Sequence, residues 1–199
     1  MEKEYSAGMA SHSTWFNEFR EYIHLRNSGA DDDDIRDMVE QENIFNASSI
    51  ARGKRMYGVL KRRVNILGEE ILPLFFYLDV FNQQVVNVVA IMLEQRIFQE
   101  FMIEVYAEKL LTGQLDLNQK DYREFWQKKM ASTEKTNKWT EQTIKRLSRS
   151  FRQVLIDSQF IKENGNKDII VRPVVDFRLQ DWFTYSKLNM ILFAVTGGN

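Results

Sequence analysis

The chain has 199 residues, carries 27 Lys and Arg against 28 Asp and Glu, and lacks cysteine, which excludes disulfides and thiolate metal sites as supports for the fold. An apolar share of 44% is that of a globular protein, and two prolines with nine glycines leave long uninterrupted stretches that favour helices. The net charge of −1 hides blocks of one sign: residues 1–46 hold four bases and eleven acids, 52–63 six bases and no acid, and 128–152 eight bases against Glu134 and Glu141.

Met1 to Ser11 reads as an arm without the charged-then-apolar layout of a signal peptide, and the absence of cysteine fits the cytoplasm. Ser13 or Thr14 is placed to cap a helix running to about Arg26, with Trp15, Phe19, Tyr22 and Ile23 on its apolar face. Asn27-Ser28-Gly29 ends it. Asp31 to Asp34 open a second helix, Asp34 to about Asn43, where carboxylates complement the helix dipole by about 0.3–1 kcal/mol each. The same four acids lack the spacing, central Gly and terminal Glu of a calcium loop, so they are read as caps and not as a metal site.

Ala47 to Leu67 is a strong helical stretch. Ile50, Gly53, Tyr57, Leu60, Val64 and Leu67 recur on one face, and Lys54 and Lys61 lie opposite, flanked by Arg55, Arg62 and Arg63. With no Glu interleaved for pairing along the helix, these bases are a solvated face or a second phosphate-contacting surface. Gly68 to Gly113 is the apolar centre, with Pro73 in the first turn of a helix beginning near Glu69 or Glu70. Asp79, Asn82, Gln83, Gln84 and Asn87 interrupt Ile71 to Leu93, so the run reads as two buried helices meeting near Val80 to Gln83, not as a membrane span. Ile97, Phe98, Phe101, Met102, Val105, Tyr106 and Leu110 continue the core stripe, and Thr112-Gly113 closes it.

Leu115-Asp116-Leu117 links to a helix from about Asn118 to Met130 with Tyr122, Phe125 and Trp126 inward, and Ala131 to Lys138 is a polar connector. Thr140 then caps a helix ending near Gln159, whose apolar face is Ile144, Leu147, Phe151, Val154, Leu155 and Ser158. Lys145, Arg149 and Arg152 fall at i, i+4 and i+7, with Arg146 beside them, as a cationic stripe facing away from the core. Phe160 to Lys162 and Asp168 to Val171 bracket Asn164-Gly165, the dipeptide of a two-residue hairpin turn in which both central residues take positive φ. Asp176 to about Val195 reads as a last helix packing Phe177, Trp182, Phe183, Tyr185, Leu188 and Ile191 on the core.

A basic helix followed by a basic-tipped hairpin has the order of a winged helix-turn-helix, although the connector exceeds the usual turn of about 3–4 residues. The expected architecture is therefore mainly α: a multi-helix bundle over residues 1–113, and over 114–199 a winged helix-turn-helix-like part with one short β-hairpin and a C-terminal helix. The expected ligand is double-stranded DNA. Phosphates are assigned to Lys145, Arg146, Arg149 and Arg152, to Lys162 and Lys167 on the wing, and to Arg55, Lys61 and Arg62; Gln142, Thr143 and Arg146 are the candidates for base edges.

Catalytic chemistry is not legible. His12 and His24 are twelve apart, not at the i, i+4 spacing of a metal-binding helix, and no Gly-rich phosphate loop occurs. Glu100 and Glu104 share a helix face, but the Glu-x-x-His partners of a di-iron bundle are missing. No enzyme activity, cofactor or metal is expected.

Several segments resemble one family. Tyr5-Ser6-Ala7-Gly8, Asn43-Ile44-Phe45 with Ser48, Arg52-Gly53-Lys54-Arg55, Arg62-Arg63, Phe101 to Lys109 and Trp139-Thr140-Glu141-Gln142-Thr143 are similar to the BrxA family of BREX phage-defence systems, also described as inner-membrane proteins of unknown function. The resemblance implies a mostly helical, soluble, DNA-binding protein with a part similar to the RNA-binding antiterminator NusB, working beside other BREX proteins such as a methyltransferase and an ATPase. The inner-membrane description conflicts with the polar residues within 79–87. Two other readings stay open: an adaptor that assembles other BREX components, and an RNA binder similar to NusB.

Overall fold

The computed structural model describes residues 4–11 and 14–198, so His12 and the candidate cap Ser13 lie outside the described residues. By Cα packing the chain divides into two compact units, residues 15–94 and residues 95–199 with 1–14. Residues 113 and 114, where the sequence suggests a boundary, both lie inside the second of these.

The unit of residues 15–94 is helical. α1 (Phe16–Asn27) follows Trp15, whose φ of 46° is left-handed, and no side chain caps it. Thr14, the other expected cap, donates its hydroxyl to Asp157 Oδ2 at 2.8 Å. α2 (Asp32–Gln41) starts two residues earlier than expected. Asp31 Oδ1 accepts from the backbone N–H groups of Asp33 and Asp34 at 2.8 and 2.9 Å, and Asp34 Oδ2 accepts from Asp31 N–H at 3.1 Å. The acids thus satisfy backbone donors that a helix start leaves without partners.

α3 (Ile50–Leu67) is capped by Ser49, whose hydroxyl accepts from Arg52 N–H at 3.2 Å. Gly53 is needed where α2 crosses α3: a Cβ there would lie 3.1 Å from Val39 Cγ1. Leu60, Val64 and Leu67 are buried as expected, whereas Ile50 is exposed and Arg63 is buried. α4 (Ile71–Phe75) holds Pro73 in its first turn, and α5 (Val80–Glu94) follows a short break. Asn82, Gln83, Gln84 and Asn87 are buried in α5 with its valines; Gln83 Nε2 donates to the carbonyls of Phe75 and Leu78 at 3.1 and 3.2 Å. Among the described residues no helix is long and apolar enough to cross a membrane.

In the unit of residues 95–199, α6 (Arg96–Phe101) continues through a π-helical turn, Met102–Ala107, into α7 (Glu108–Thr112). The wider turn buries Tyr106, whose hydroxyl donates to the carbonyls of Val171 and Phe160 at 2.7 and 3.2 Å. Gly113 ends the helix with a φ of 73°, open to glycine without strain. Then come β1 (Asp116–Leu117), α8 (Gln119–Ser132), α9 (Glu134–Asn137), α10 (Glu141–Asp157), β2 (Ile161–Asn164) and β3 (Lys167–Ile170). The strands form an antiparallel sheet in the order β1-β3-β2, with Asp116 opposite Ile169 and Glu163 opposite Asp168.

The expected single C-terminal helix is two, α11 (Phe177–Tyr185) and α12 (Asn189–Thr196), because Lys187 between them takes a φ of 58°. Trp182, Phe183 and Ile191 are buried, but Phe177 and Tyr185 are exposed and do not pack on the core. Arg172 staples the ends of α7 and α12, donating to the carbonyls of Leu110 and Thr196 at 2.8 and 3.2 Å.

Candidate nucleic-acid interface

α10 is built from its cap outward. The Thr140 hydroxyl accepts from Thr143 N–H at 3.2 Å, and Glu141 adds a favourable charge to the first turn. Leu147, Phe151, Val154 and Leu155 are buried. Phe151 lies against the rings of Trp126, Phe125, Phe101 and Phe98, and Trp126 Nε1 donates to Ser148 Oγ at 2.7 Å, which fixes α10 against α8. The apolar face therefore dictates which residues look outward: Gln142, Lys145, Arg146 and Arg149 are exposed, and Thr143 is half-buried beside its cap.

The cations of this face are not equivalent. Lys145 is exposed and paired with Glu141 one turn earlier at 2.7 Å, which lowers the pKa of Glu141. Arg146 and Arg149 are exposed and have no carboxylate partner among the described residues. Arg152 has a different task. Its Nε and Nη2 donate to Asp168 Oδ2 and Oδ1 at 2.7 and 2.8 Å, and Nη2 also donates to Glu163 Oε1 at 2.8 Å. These hydrogen bonds raise its pKa further above the ordinary arginine value. The stripe expected to run from Lys145 to Arg152 stops at Arg149, and Arg152 clasps the hairpin to the helix.

The hairpin turn also differs in detail. Asn164 pairs with Lys167, so the central residues are Gly165 and Asn166, one position later than expected, and only Gly165 has positive φ, at 61°. Lys162 is exposed and Lys167 is exposed with a loose approach to Asp116 at 3.9 Å. Between the start of α8, the outer side of α10 and the turn lies a hollow of about 460 Å³, lined among others by Tyr122, Arg149, Arg152, Lys167 and Asp168.

In the unit of residues 15–94, Arg55 is exposed and without a carboxylate partner among the described residues. Lys61 pairs with Asp32 at 2.9 Å and lies 5.8 Å from the Tyr57 ring centroid; the hydrogen bond it donates to Asp32 raises its pKa. Arg62 pairs with Glu94 at 3.1 Å and donates to Gly58 O at 2.9 Å. Arg63 shares Glu94 at 3.4 Å, and burial pushes its pKa down to about 10 against the pull of that carboxylate. Lys54, Lys61, Arg62 and Arg63 find acids on α2 and α5, which spacing along α3 alone cannot reveal.

Glu100 and Glu104 are likewise committed. Glu100 accepts from Tyr5 at 3.0 Å, from Arg96 at 2.8 Å and from Lys129 at 2.5 Å, and Lys129 also holds Glu104. Tyr122 carries a second surprise: its hydroxyl is buried without a hydrogen-bond partner among the described residues, although the ring stacks on Phe101. No periodicity marks either feature; both depend on how α8 meets its neighbours.

The fold is that of a mainly helical protein with a small antiparallel sheet, and it is shared with a solved structure. The crystal structure of an uncharacterized protein from Magnetospirillum magneticum superposes with a TM-score of 0.78 at 14% identity, covering 98% of this chain and 100% of that one. The family model BrxA matches residues 3–186, and the chain belongs to that family. A curated relative, the BREX protein BrxA of Bacillus cereus (strain H3081.97), is 26% identical over 176 residues, 88% of each chain.

Proposed function

We propose that this protein is a non-enzymatic, double-stranded DNA-binding component of a BREX phage-defence system, gripping the duplex through the outer face of α10 and the β2–β3 hairpin. The observation that carries the reading is the pair Arg146 and Arg149, exposed one turn apart on α10 and without carboxylate partners among the described residues. Exposed arginines of this kind release counterions from phosphates, whereas paired ones have little charge left to offer. The element order supports it: β1, α8, the single-turn α9, α10, β2 and β3, with β1 paired to β3, run in the order of a winged helix-turn-helix with α9 in its connector. Lys162, exposed on the hairpin, extends the basic face, and Gln142, exposed in the first turn of α10, is the candidate for base edges. The role in phage defence rests on family membership and on the name of the Bacillus relative.

A second reading, an adaptor for other BREX proteins, is favoured by the exposure of Val174, Phe177, Tyr185 and Met190, each at least 61% accessible. Equal-length duplex DNA, single-stranded DNA and RNA, titrated by fluorescence anisotropy at several salt concentrations, separate the readings. Tightest binding to the duplex supports the proposal; a preference for RNA, or no binding at low salt with retention of a BREX protein in pull-downs, refutes it.

A further inference from the structure

We infer that the hollow between the start of α8, the outer side of α10 and the hairpin turn is a phosphate seat formed by Arg149, Lys167 and the hydroxyl of Tyr122. The inference deepens the DNA-binding reading and, for its natural ligand, rests on it.

A buried polar group without a partner costs about 1–3 kcal/mol, so a chain that keeps one either wastes stability or uses the group. Tyr122 is 9% exposed, and its hydroxyl has no hydrogen-bond partner among the described residues. The residue lines the hollow, and its hydroxyl senses the charges of Asp168, Arg152 and Asp121, the first two of which line the same hollow. Burial raises the Tyr122 pKa, so the hydroxyl keeps its proton and stands as a donor. Phenylalanine would fill the same space without that cost.

The cations that line the hollow outnumber its one carboxylate and favour an anion. Arg152 holds Asp168 through two hydrogen bonds, so these two charges of the lining offset one another. Arg149 has no such partner among the described residues, and Lys167 approaches Asp116 only at 3.9 Å. The surplus in the hollow is therefore two cations beside one neutral donor. The start of α8 adds little, because Asn118 and Asp121 already occupy its cap. A phosphate oxygen pair, with one arm on the guanidinium and one on the phenol, suits this set better than a carboxylate ligand, since the acceptors outnumber two and the charge matches. The phosphate comes from a nucleic-acid backbone in the proposed role, or from a free phosphate compound.

The test compares the full chain with Tyr122→Phe, Arg149→Gln and Lys167→Gln, using inorganic pyrophosphate in calorimetry and a 20-base-pair duplex in salt-titrated anisotropy. The seat predicts that Tyr122→Phe melts at or above the parent yet binds about fivefold more weakly, with an unchanged salt slope because no charge is lost. Arg149→Gln and Lys167→Gln each weaken binding and flatten the slope by roughly 0.9. Loss with both probes, or with duplex alone, supports the seat and assigns the backbone as source. Loss with pyrophosphate and no duplex binding by any form supports the seat for a free phosphate and ends the DNA reading. If Tyr122→Phe and Lys167→Gln bind both probes like the parent, the seat is refuted while duplex binding by the parent keeps the DNA reading alive. If the parent binds neither probe, both fall.

Discussion

Replacing Arg152 by alanine separates a structural arginine from an exposed one, Arg149, a single turn away. Asp168 is 5% exposed and receives two charge-assisted hydrogen bonds from the guanidinium, at 2.7 and 2.8 Å. Such bonds contribute about 1.5–3 kcal/mol each, but the Arg152 side chain is 37% exposed, so water screens part of the gain. The arm to Glu163, itself 65% exposed, adds less than about 1 kcal/mol. Truncation leaves a buried carboxylate without its partner, and the net loss is roughly 2–3 kcal/mol. At about 2–4 °C per kcal/mol for a chain of this length, Tm falls by roughly 4–12 °C. Arg149→Ala removes an exposed side chain and changes stability by less than about 0.5 kcal/mol. Thermal unfolding followed by circular dichroism, in parallel on both variants, reads the difference. Equal melting of the two would refute the clasp and return Arg152 to the solvent-facing stripe.

Three further outcomes follow from buried polar networks. Burial opposes ionisation of Glu100, but hydrogen bonds from Lys129, Arg96 and Tyr5 outweigh it and lower its pKa from the usual 4.5. A depressed carboxylate contributes stability above its unfolded value and loses it as pH falls through the folded one, so urea midpoints of the parent should drop below about pH 4.5 while those of Glu100→Gln, lower at neutral pH, change less over that range. Tyr106→Phe strips the donor from two carbonyls, Val171 and Phe160, and should cost about 1–2 kcal/mol in chemical denaturation. Arg63→Ala removes a 1%-exposed guanidinium from Glu94 and should cost roughly 3–5 kcal/mol, whereas Arg55→Ala on the same helix should leave the urea midpoint unchanged.

What could be seen in the chain beforehand follows from which forces are local. Capping is local, so Thr140 on α10 and the aspartates before α2 could be placed by type and spacing. The apolar stripe of α10 predicts the exposure of Arg146 and Arg149, because a helix that buries one face must show the other. The hairpin was legible but its turn slid by one residue: Asn-Gly and Gly-Asn both suit two-residue loops, and pairing of Asn164 with Lys167 decides between them. Three features were hidden because their causes are non-local. β1 is two residues long and exists only through pairing with β3. The Arg152–Asp168 clasp joins residues sixteen apart that meet only once the hairpin folds back. The acids that occupy Lys61 and Arg62 stand on other helices, so a base-rich helix read by itself overstates its free charge.

The central claim is that Arg146 and Arg149 meet DNA phosphates. Measuring log K against log salt for a short duplex with the parent and the double variant Arg146→Ala/Arg149→Ala tests it most directly. The account predicts a slope shallower by about 1.8 and weaker binding at low salt, with Tm preserved. A parent that binds duplex DNA with a slope the double variant reproduces would contradict it.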